Sequence, residues 1–158
     1  MAKALSGEKI SRATDILSED NVTLRKPTYD EWETYLSFED FVNLHGVRLI
    51  AHEETVEHEK FIGTLDQLWV LTKSCGLDKR YCKCAEFLNT PILNDVKTGK
   101  GIYPNYRAQV AALAYADLSH LKLKDHVRNT MILHLNGTDR GWSVKFYGPE
   151  ETAKAYDR

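Results

Sequence analysis

The sequence predicts a single α+β domain, with a mixed, mostly antiparallel sheet of about five or six strands flanked by helices. Two observations support this prediction. Segments with apolar residues at helical spacing are interspersed along the chain with short segments in which apolar and polar residues alternate. The 158 residues are also enough to bury one core. We expect residues 1–20 to form a helical arm and residues 21–158 to form the domain.

Apolar spacing and capping signals locate the helices. Thr28 and Glu31 form the capping-box pattern typical of a helix start. Pro149 suits the first turn of a terminal helix, where its missing N–H costs nothing. Helices are therefore expected over residues 6–18, over 28–40, more weakly over 77–88, from Arg107 onward and from about Pro149 onward.

Alternating or continuous apolar runs locate the strands. Residues 61–73 contain the densest such run, and Leu68 to Leu71 are apolar throughout, so this segment is expected to be a central strand. Residues 52–60 are expected to form an acidic loop, and residues 89–106 have no clear pattern. The other strands are expected over residues 22–26, 46–51 and 131–135, and the segment just before Gly148 is expected to form a short strand or a turn.

Composition limits the classes of partner. The formal net charge is only −2 and the basic residues are scattered, so nucleic acid is not indicated as a partner. The first 20 residues contain neither the apolar core of a signal peptide nor a membrane span. We expect a cytoplasmic protein that acts on a small molecule or on another protein and does not contact a membrane.

Three clustered cysteines, Cys75, Cys82 and Cys84, raise the question of a metal site. A structural zinc would need a fourth ligand, for which a histidine is the usual remaining candidate. Free cysteines are common as small buried hydrophobic residues, and we favour that interpretation, with no bound metal. His52 and His58 are six residues apart, so they do not share a helix face as zinc-binding histidines would.

The segment "GKGIYPNYRAQVAALAYADL", residues 99–118, places a turn directly before an alanine-rich helix. The free N–H groups at a helix start attract anions, and Arg107 could add a charged contact by reaching beyond the helix end. The alternative is an ordinary core helix, since every helix has such a start.

"IYPNYRAQVAALA" followed by "MILHLNGTDRGWSVKFYG" resembles the acetyl-CoA-dependent GNAT acyltransferase family. Four residues match the family's loop in order, and alanine or valine stands at three of its glycine positions. The resemblance implies acetyl-CoA or another acyl-CoA as co-substrate. It places the cofactor at Tyr106, Arg107, Ala108, Gln109, Val110, Ala111 and Ala112.

The same resemblance implies direct attack of an amine on the thioester, with an acid for the leaving thiolate. Tyr147 or Phe146 matches the family's tyrosine, and Asp139 or Arg140 matches its asparagine. The alternative function is a non-catalytic binding or protein-interaction module that retains the fold. The candidates for the base are Glu53, Glu54, Glu57 and His134.

Overall fold

The computed structural model describes residues 16–17, 24–121, 123, 126–136 and 140–157. Within these residues the chain forms three α-helices and nine strands. The helices are α1 (Tyr29–His45), α2 (Pro104–Ala114) and α3 (Pro149–Tyr156). The strands are β1 (Ile16–Leu17), β2 (Leu24–Arg25), β3 (Val47–His52), β4 (Thr55–His58), β5 (Phe61–Thr64), β6 (Gln67–Leu71), β7 (Pro91–Thr98), β8 (Asn129–Leu135) and β9 (Trp142–Tyr147).

One mixed sheet of five strands organises the fold, in the order β3-β6-β7-β8-β9. Its neighbouring strands are antiparallel except for β7 and β8, which are parallel and are joined through α2. The pairs β1–β2 and β4–β5 form two further small sheets. The predicted α+β class and the mixed, mostly antiparallel sheet are therefore confirmed.

The sheet separates two hydrophobic clusters, as the alternation along β8 shows. Met131, Leu133 and Leu135 belong to the cluster that contains Phe38 and Phe41 of α1. The intervening Ile132 belongs instead to the cluster that contains residues of α2. Helix α1 therefore covers one face of the sheet, and α2 and α3, which contact each other, cover the opposite face.

Helix α1 begins and ends as its sequence dictates. The Thr28 side chain accepts a hydrogen bond from the Glu31 amide, and the Glu31 carboxylate accepts one from the Thr28 amide. The helix ends at Gly46, which has φ of 57° and a left-handed conformation that glycine adopts without strain. This turn brings the end of α1 beside the end of β6, where Thr72 and Lys73 donate backbone hydrogen bonds to the His45 carbonyl.

Several sequence predictions are confirmed in position. Helix α1 starts where the capping box predicts and continues five residues beyond residue 40. The strand over residues 131–135, the strand before Gly148 and the terminal helix from Pro149 are all present. The segment from Arg107 is helical, although its helix starts at Pro104 and ends at Ala114.

Other predictions are wrong, chiefly where polar residues lie in strands. The expected acidic loop over residues 52–60 contains strand β4 and the turn that leads into β5, because its polar residues occupy the exposed side of a two-stranded sheet. Residues 61–73 form two strands in different sheets, so the predicted central strand is confirmed only for β6, which contains Leu68 to Leu71 and is a fully buried interior strand of the five-stranded sheet. Residues 77–88 contain a short 3-10 helix over Cys84–Glu86 in place of an α-helix.

The N-terminal arm expected over residues 1–20 lies largely outside the described residues. Ile16 and Leu17, which the prediction assigned to a helix, pair with β2 as strand β1. Among the described helices, none combines the length and the apolar character that a bilayer span requires.

Candidate metal centre

Three thiols and one imidazole converge at the end of α1. The potential ligand atoms of His45, Cys75, Cys82 and Cys84 all lie within 4.8 Å of one another. His45, Cys82 and Cys84 are buried, Cys75 is half-buried, and all three cysteines are free thiols. A zinc site at these cysteines would need a histidine as its fourth ligand, and in the structure His45 lies beside them.

The loop after β6 folds back so that its cysteines reach His45. Its turn is held by the Asp78 carbonyl, which accepts hydrogen bonds from the amides of Tyr81 and Cys82. The Asp78 carboxylate also accepts a hydrogen bond from the Arg80 amide, at 2.8 Å. This turn reverses the chain between Cys75 and Cys82, which lie seven positions apart in the sequence.

The His45 ring is fixed in place by its neighbours. Its Nδ1 is 2.9 Å from the Phe41 carbonyl oxygen, which can only accept, so Nδ1 carries the proton. The ring also stacks on Phe41 and meets the edge of Trp142. The lone pair on Nε2 is therefore directed at Cys82, whose Sγ is 3.4 Å away. This arrangement, in which a backbone carbonyl fixes the tautomer, is typical of metal-binding histidines.

Burial and local hydrogen bonds set the charge of these groups. Burial lowers the pKa of His45 below its ordinary value, so the imidazole is neutral and its Nε2 is free to bind a metal. Burial raises the pKa of Cys82. Burial also opposes ionisation of Cys84, but hydrogen bonds from the Cys75 amide and from neighbouring thiols outweigh it, and the pKa of Cys84 is lowered.

Two of the distances between the ligand atoms are close to the edges of a tetrahedral zinc site. Zinc–sulfur bonds of about 2.3 Å and zinc–nitrogen bonds of about 2.0 Å give edges of about 3.5–3.8 Å in a tetrahedron. The Sγ atoms of Cys75 and Cys84 are 3.5 Å apart, close to such an edge. The Cys75 amide also donates to the Cys84 sulfur at 3.5 Å, an interaction that stabilises a thiolate.

The predicted acyl-CoA junction lies elsewhere, on the face of the sheet covered by α2. The side chains of Val110 and Ala111 are completely buried against the sheet. Ala108 is exposed and Ala112 is half-buried. The Arg107 guanidinium lies over the Tyr147 ring, 5.0 Å from its centroid, and donates to the Glu151 carbonyl oxygen at 2.9 Å. It therefore points at α3 and not beyond the end of α2.

Two other predicted cofactor residues, Tyr106 and Gln109, meet at Lys97 of β7. The Lys97 ammonium lies 4.5 Å from the centroid of the Tyr106 ring and 3.2 Å from the Gln109 Oε1. Lys97 is also the direct neighbour of His134 on the parallel strand β8. These four residues form a polar group at the carboxyl ends of β7 and β8.

The predicted catalytic residues are not brought together. Tyr147 pairs with Thr130 and His134 pairs with Ser143 in the β8–β9 register. Four residues of strand, or about 13 Å, therefore separate Tyr147 from His134. His134 Nε2 lies 2.8 Å from the Gly99 carbonyl oxygen, and burial raises the pKa of Tyr147.

The glutamates considered as a base lie in strand β4 and in the turn that precedes it. The Glu54 carboxylate lies 3.2 Å from the His120 Nε2, and Glu53 and Glu57 are exposed. Of the two residues matched to the family's asparagine, Arg140 forms an ion pair with Asp40, and Asp139 lies outside the described residues.

A cleft of about 810 Å³ lies between the β4–β5 hairpin and the segment that follows α2. Glu57 lines it, together with His58, Tyr115, Asp117 and Arg128. None of the residues matched to the family's cofactor loop lines this cleft. No protein-family model and no curated protein matches the chain.

Sequence reasoning did not single out His45. The residue lies 30 positions before Cys75, at the end of a helix, and its neighbours in the sequence are not residues that commonly bind metals. Its signal in the sequence is weak: a histidine in the last turn of a helix that ends at Gly46. Only the approach of β6 to the end of α1 makes it a neighbour of the cysteines.

Proposed function

We propose that this protein is a zinc-binding module, in which one Zn²⁺ held by His45, Cys75, Cys82 and Cys84 has a structural role. The observation that carries the proposal is the convergence of four ligand atoms within 4.8 Å of one another. Three thiolates and a neutral imidazole are a common donor set of structural zinc sites. The proposal departs from the interpretation favoured for the sequence, in which the three cysteines were free thiols with no bound metal.

The closed ligand set supports a structural role over a catalytic one. Catalytic zinc keeps one position for water or substrate, whereas four protein ligands complete the tetrahedron. The ligands are mostly buried, so water would have little access to the ion. An ion at this position would tie the end of α1 to the loop that follows β6.

Metal analysis of the purified full chain tests the proposal. We expect one zinc per chain by elemental mass spectrometry. We also expect cobalt substitution to produce the visible bands of a tetrahedral, sulfur-bound ion. His45→Ala should lower the zinc content well below one, and the matched variant His52→Ala, at an exposed position, should not. Equal, sub-stoichiometric zinc in all three proteins would refute the site and leave the cysteines as free thiols.

We propose acyl transfer from acyl-CoA to an amine as a second candidate function. It is favoured by one observation, that Tyr106, Gln109, Lys97 and His134 meet at the carboxyl ends of the parallel strands β7 and β8. Ligands of α/β sheets often bind at this end of parallel strands. Lys97 supplies a positive charge there, although Asp95 lies 3.0 Å from it.

A thermal-shift assay with acetyl-CoA tests this second candidate. A ligand at 100 times its dissociation constant stabilises a protein by about 2.7 kcal/mol. Lys97→Met should abolish the shift, and Lys145→Met, an exposed control on β9, should leave it unchanged. If millimolar acetyl-CoA produces no shift in the zinc-loaded protein, the acyltransferase proposal is wrong and the zinc proposal is unaffected.

A further inference from the structure

We infer that the zinc centre is sensitive to oxidation, and that peroxide joins Cys75 to Cys84 in a disulfide with release of the Zn²⁺. This inference rests on the proposed zinc site and adds its regulation. It is carried by the positions of the sulfur atoms and by the unequal exposure of the three cysteines.

Cys75 and Cys84 are placed to react with each other. Their Sγ atoms are 3.5 Å apart, so a movement of about 1.5 Å brings them to the S–S distance of about 2.0 Å. Cys82 interacts with both of these thiols, but its sulfur also lies 3.4 Å from the His45 Nε2, and it is more deeply buried than Cys75. The geometry therefore favours one pair of the three thiols.

Cys75 is the ligand that an oxidant can reach. Its side chain is half-buried and lies between Ser74 and Gly76, both exposed, whereas Cys82 and Cys84 have exposed fractions of 4% and 1%. A small oxidant from solvent would therefore meet the Cys75 sulfur before the other two. Susceptibility of thiolates to oxidation follows exposure in this way.

The chemistry needs one molecule of hydrogen peroxide. The Cys75 thiolate attacks a peroxide oxygen, the O–O bond breaks and hydroxide leaves, which converts Cys75 into a sulfenic acid. The Cys84 thiolate then attacks the sulfenic sulfur, the S–S bond forms and the S–O bond breaks with loss of a second hydroxide. Two thiolates lose two electrons in total, and the two hydroxides take up two protons to become water.

Loss of two ligands would release the ion. After the reaction only His45 and Cys82 remain as donors, and two ligands do not satisfy the tetrahedral preference of Zn²⁺. The new disulfide keeps the ends of the loop from Cys75 to Cys84 together. The connection between that loop and the His45 side chain through the ion is lost, whereas the backbone hydrogen bonds from Thr72 and Lys73 to the His45 carbonyl remain.

Peroxide treatment of the zinc-loaded full chain tests the inference. We expect one zinc, detected with a chromogenic chelator, to be released for each Cys75–Cys84 disulfide found by peptide mapping, with Cys82 still a free thiol. Reduction with dithiothreitol followed by added zinc should restore the loaded protein. Zinc release with a different disulfide, or complete retention of zinc under a tenfold excess of peroxide, would overturn the inference.

Two ligand-preserving variants provide a matched comparison. Cys75→His retains four donors but lacks the reactive pair, so its zinc release should slow by about tenfold or more, since direct thiolate attack is removed. His52→Ala, at an exposed position, leaves all four ligands in place and should release zinc at the wild-type rate. If a variant does not fold, the disulfide map of the wild-type protein still decides the matter.

The two proposals fail in different ways. A protein that binds no zinc before peroxide is added refutes the zinc site itself. A protein that binds one zinc and loses it without forming the Cys75–Cys84 disulfide retains the site and refutes its oxidation mechanism.

Discussion

Removing the metal should lower the stability of the whole fold. The four ligands come from the end of α1 and the loop after β6, and the unfolded chain does not hold them together. Zinc binding to the folded state is therefore coupled to folding. At the low end, structural zinc binds with about 10 kcal/mol, which corresponds to a dissociation constant of about 50 nM.

The expected size of the effect follows from this affinity. At about 5 µM free zinc, 100 times that dissociation constant, binding adds about 2.7 kcal/mol to the free energy of unfolding. For a chain of this size each kcal/mol changes the melting temperature by about 2–4 °C, so zinc should raise it by about 5–11 °C. Scanning calorimetry in a zinc buffer and in excess chelator measures this difference.

Two variants make the measurement specific. His45→Asn removes one ligand, so its melting temperature should differ little between zinc and chelator. His52→Asn alters an exposed histidine on β3 and should show the full wild-type difference. Coincident melting curves for the wild-type protein in zinc and in chelator would refute the argument that the ion stabilises the fold.

Three further predictions concern the fold. Thr28→Ala removes the cap of α1 and should cost about 1 kcal/mol, seen as a melting temperature about 2–4 °C lower. Gly46→Ala should cost more than about 1 kcal/mol in denaturant unfolding, because φ is 57° and the added Cβ would collide with the Thr72 hydroxyl. Burial, with a hydrogen bond that protonated Asp95 donates to the Asp66 carboxylate, raises the pKa of Asp95 from 3.8 to about 6, so its contribution to stability is present below about pH 4 and lost as the pH rises through 6. As the pH rises from 4 to 7, the free energy of unfolding of Asp95→Asn should therefore increase relative to that of the wild type by up to about 3 kcal/mol. A difference between the two proteins that does not change with pH would contradict this.

Sequence patterns correctly predicted the helices and strands that are determined by interactions between neighbouring residues. The capping box placed the start of α1, and the apolar alternation over residues 131–135 placed β8. Pro149 marked the first turn of α3. In each case the information lies within a few neighbouring residues, because helix-end hydrogen bonds and the alternation of side chains along a strand both involve residues close together in the sequence.

Strand β7, at the centre of the sheet, was missed for the opposite reason. Its buried positions include Asn94 and Asp95, which do not match an apolar strand pattern. The Asn94 side chain donates to Gln67 of β6 at 2.8 Å, and Asp95 lies 3.0 Å from the Lys97 ammonium. Asn94 is therefore hydrogen-bonded to a residue 27 positions away in the sequence. The sequence of β7 alone gives no sign of this partner.

The candidate metal site shows the same division. The sequence by itself determined that three cysteines lie within ten residues and that a fourth ligand was needed. Tertiary structure decided that His45 is that ligand, because the antiparallel pairing of β3 with β6 returns the chain to the end of α1. Contacts of this kind join residues far apart in the sequence, and their energy depends on the whole fold, so no local pattern specifies them.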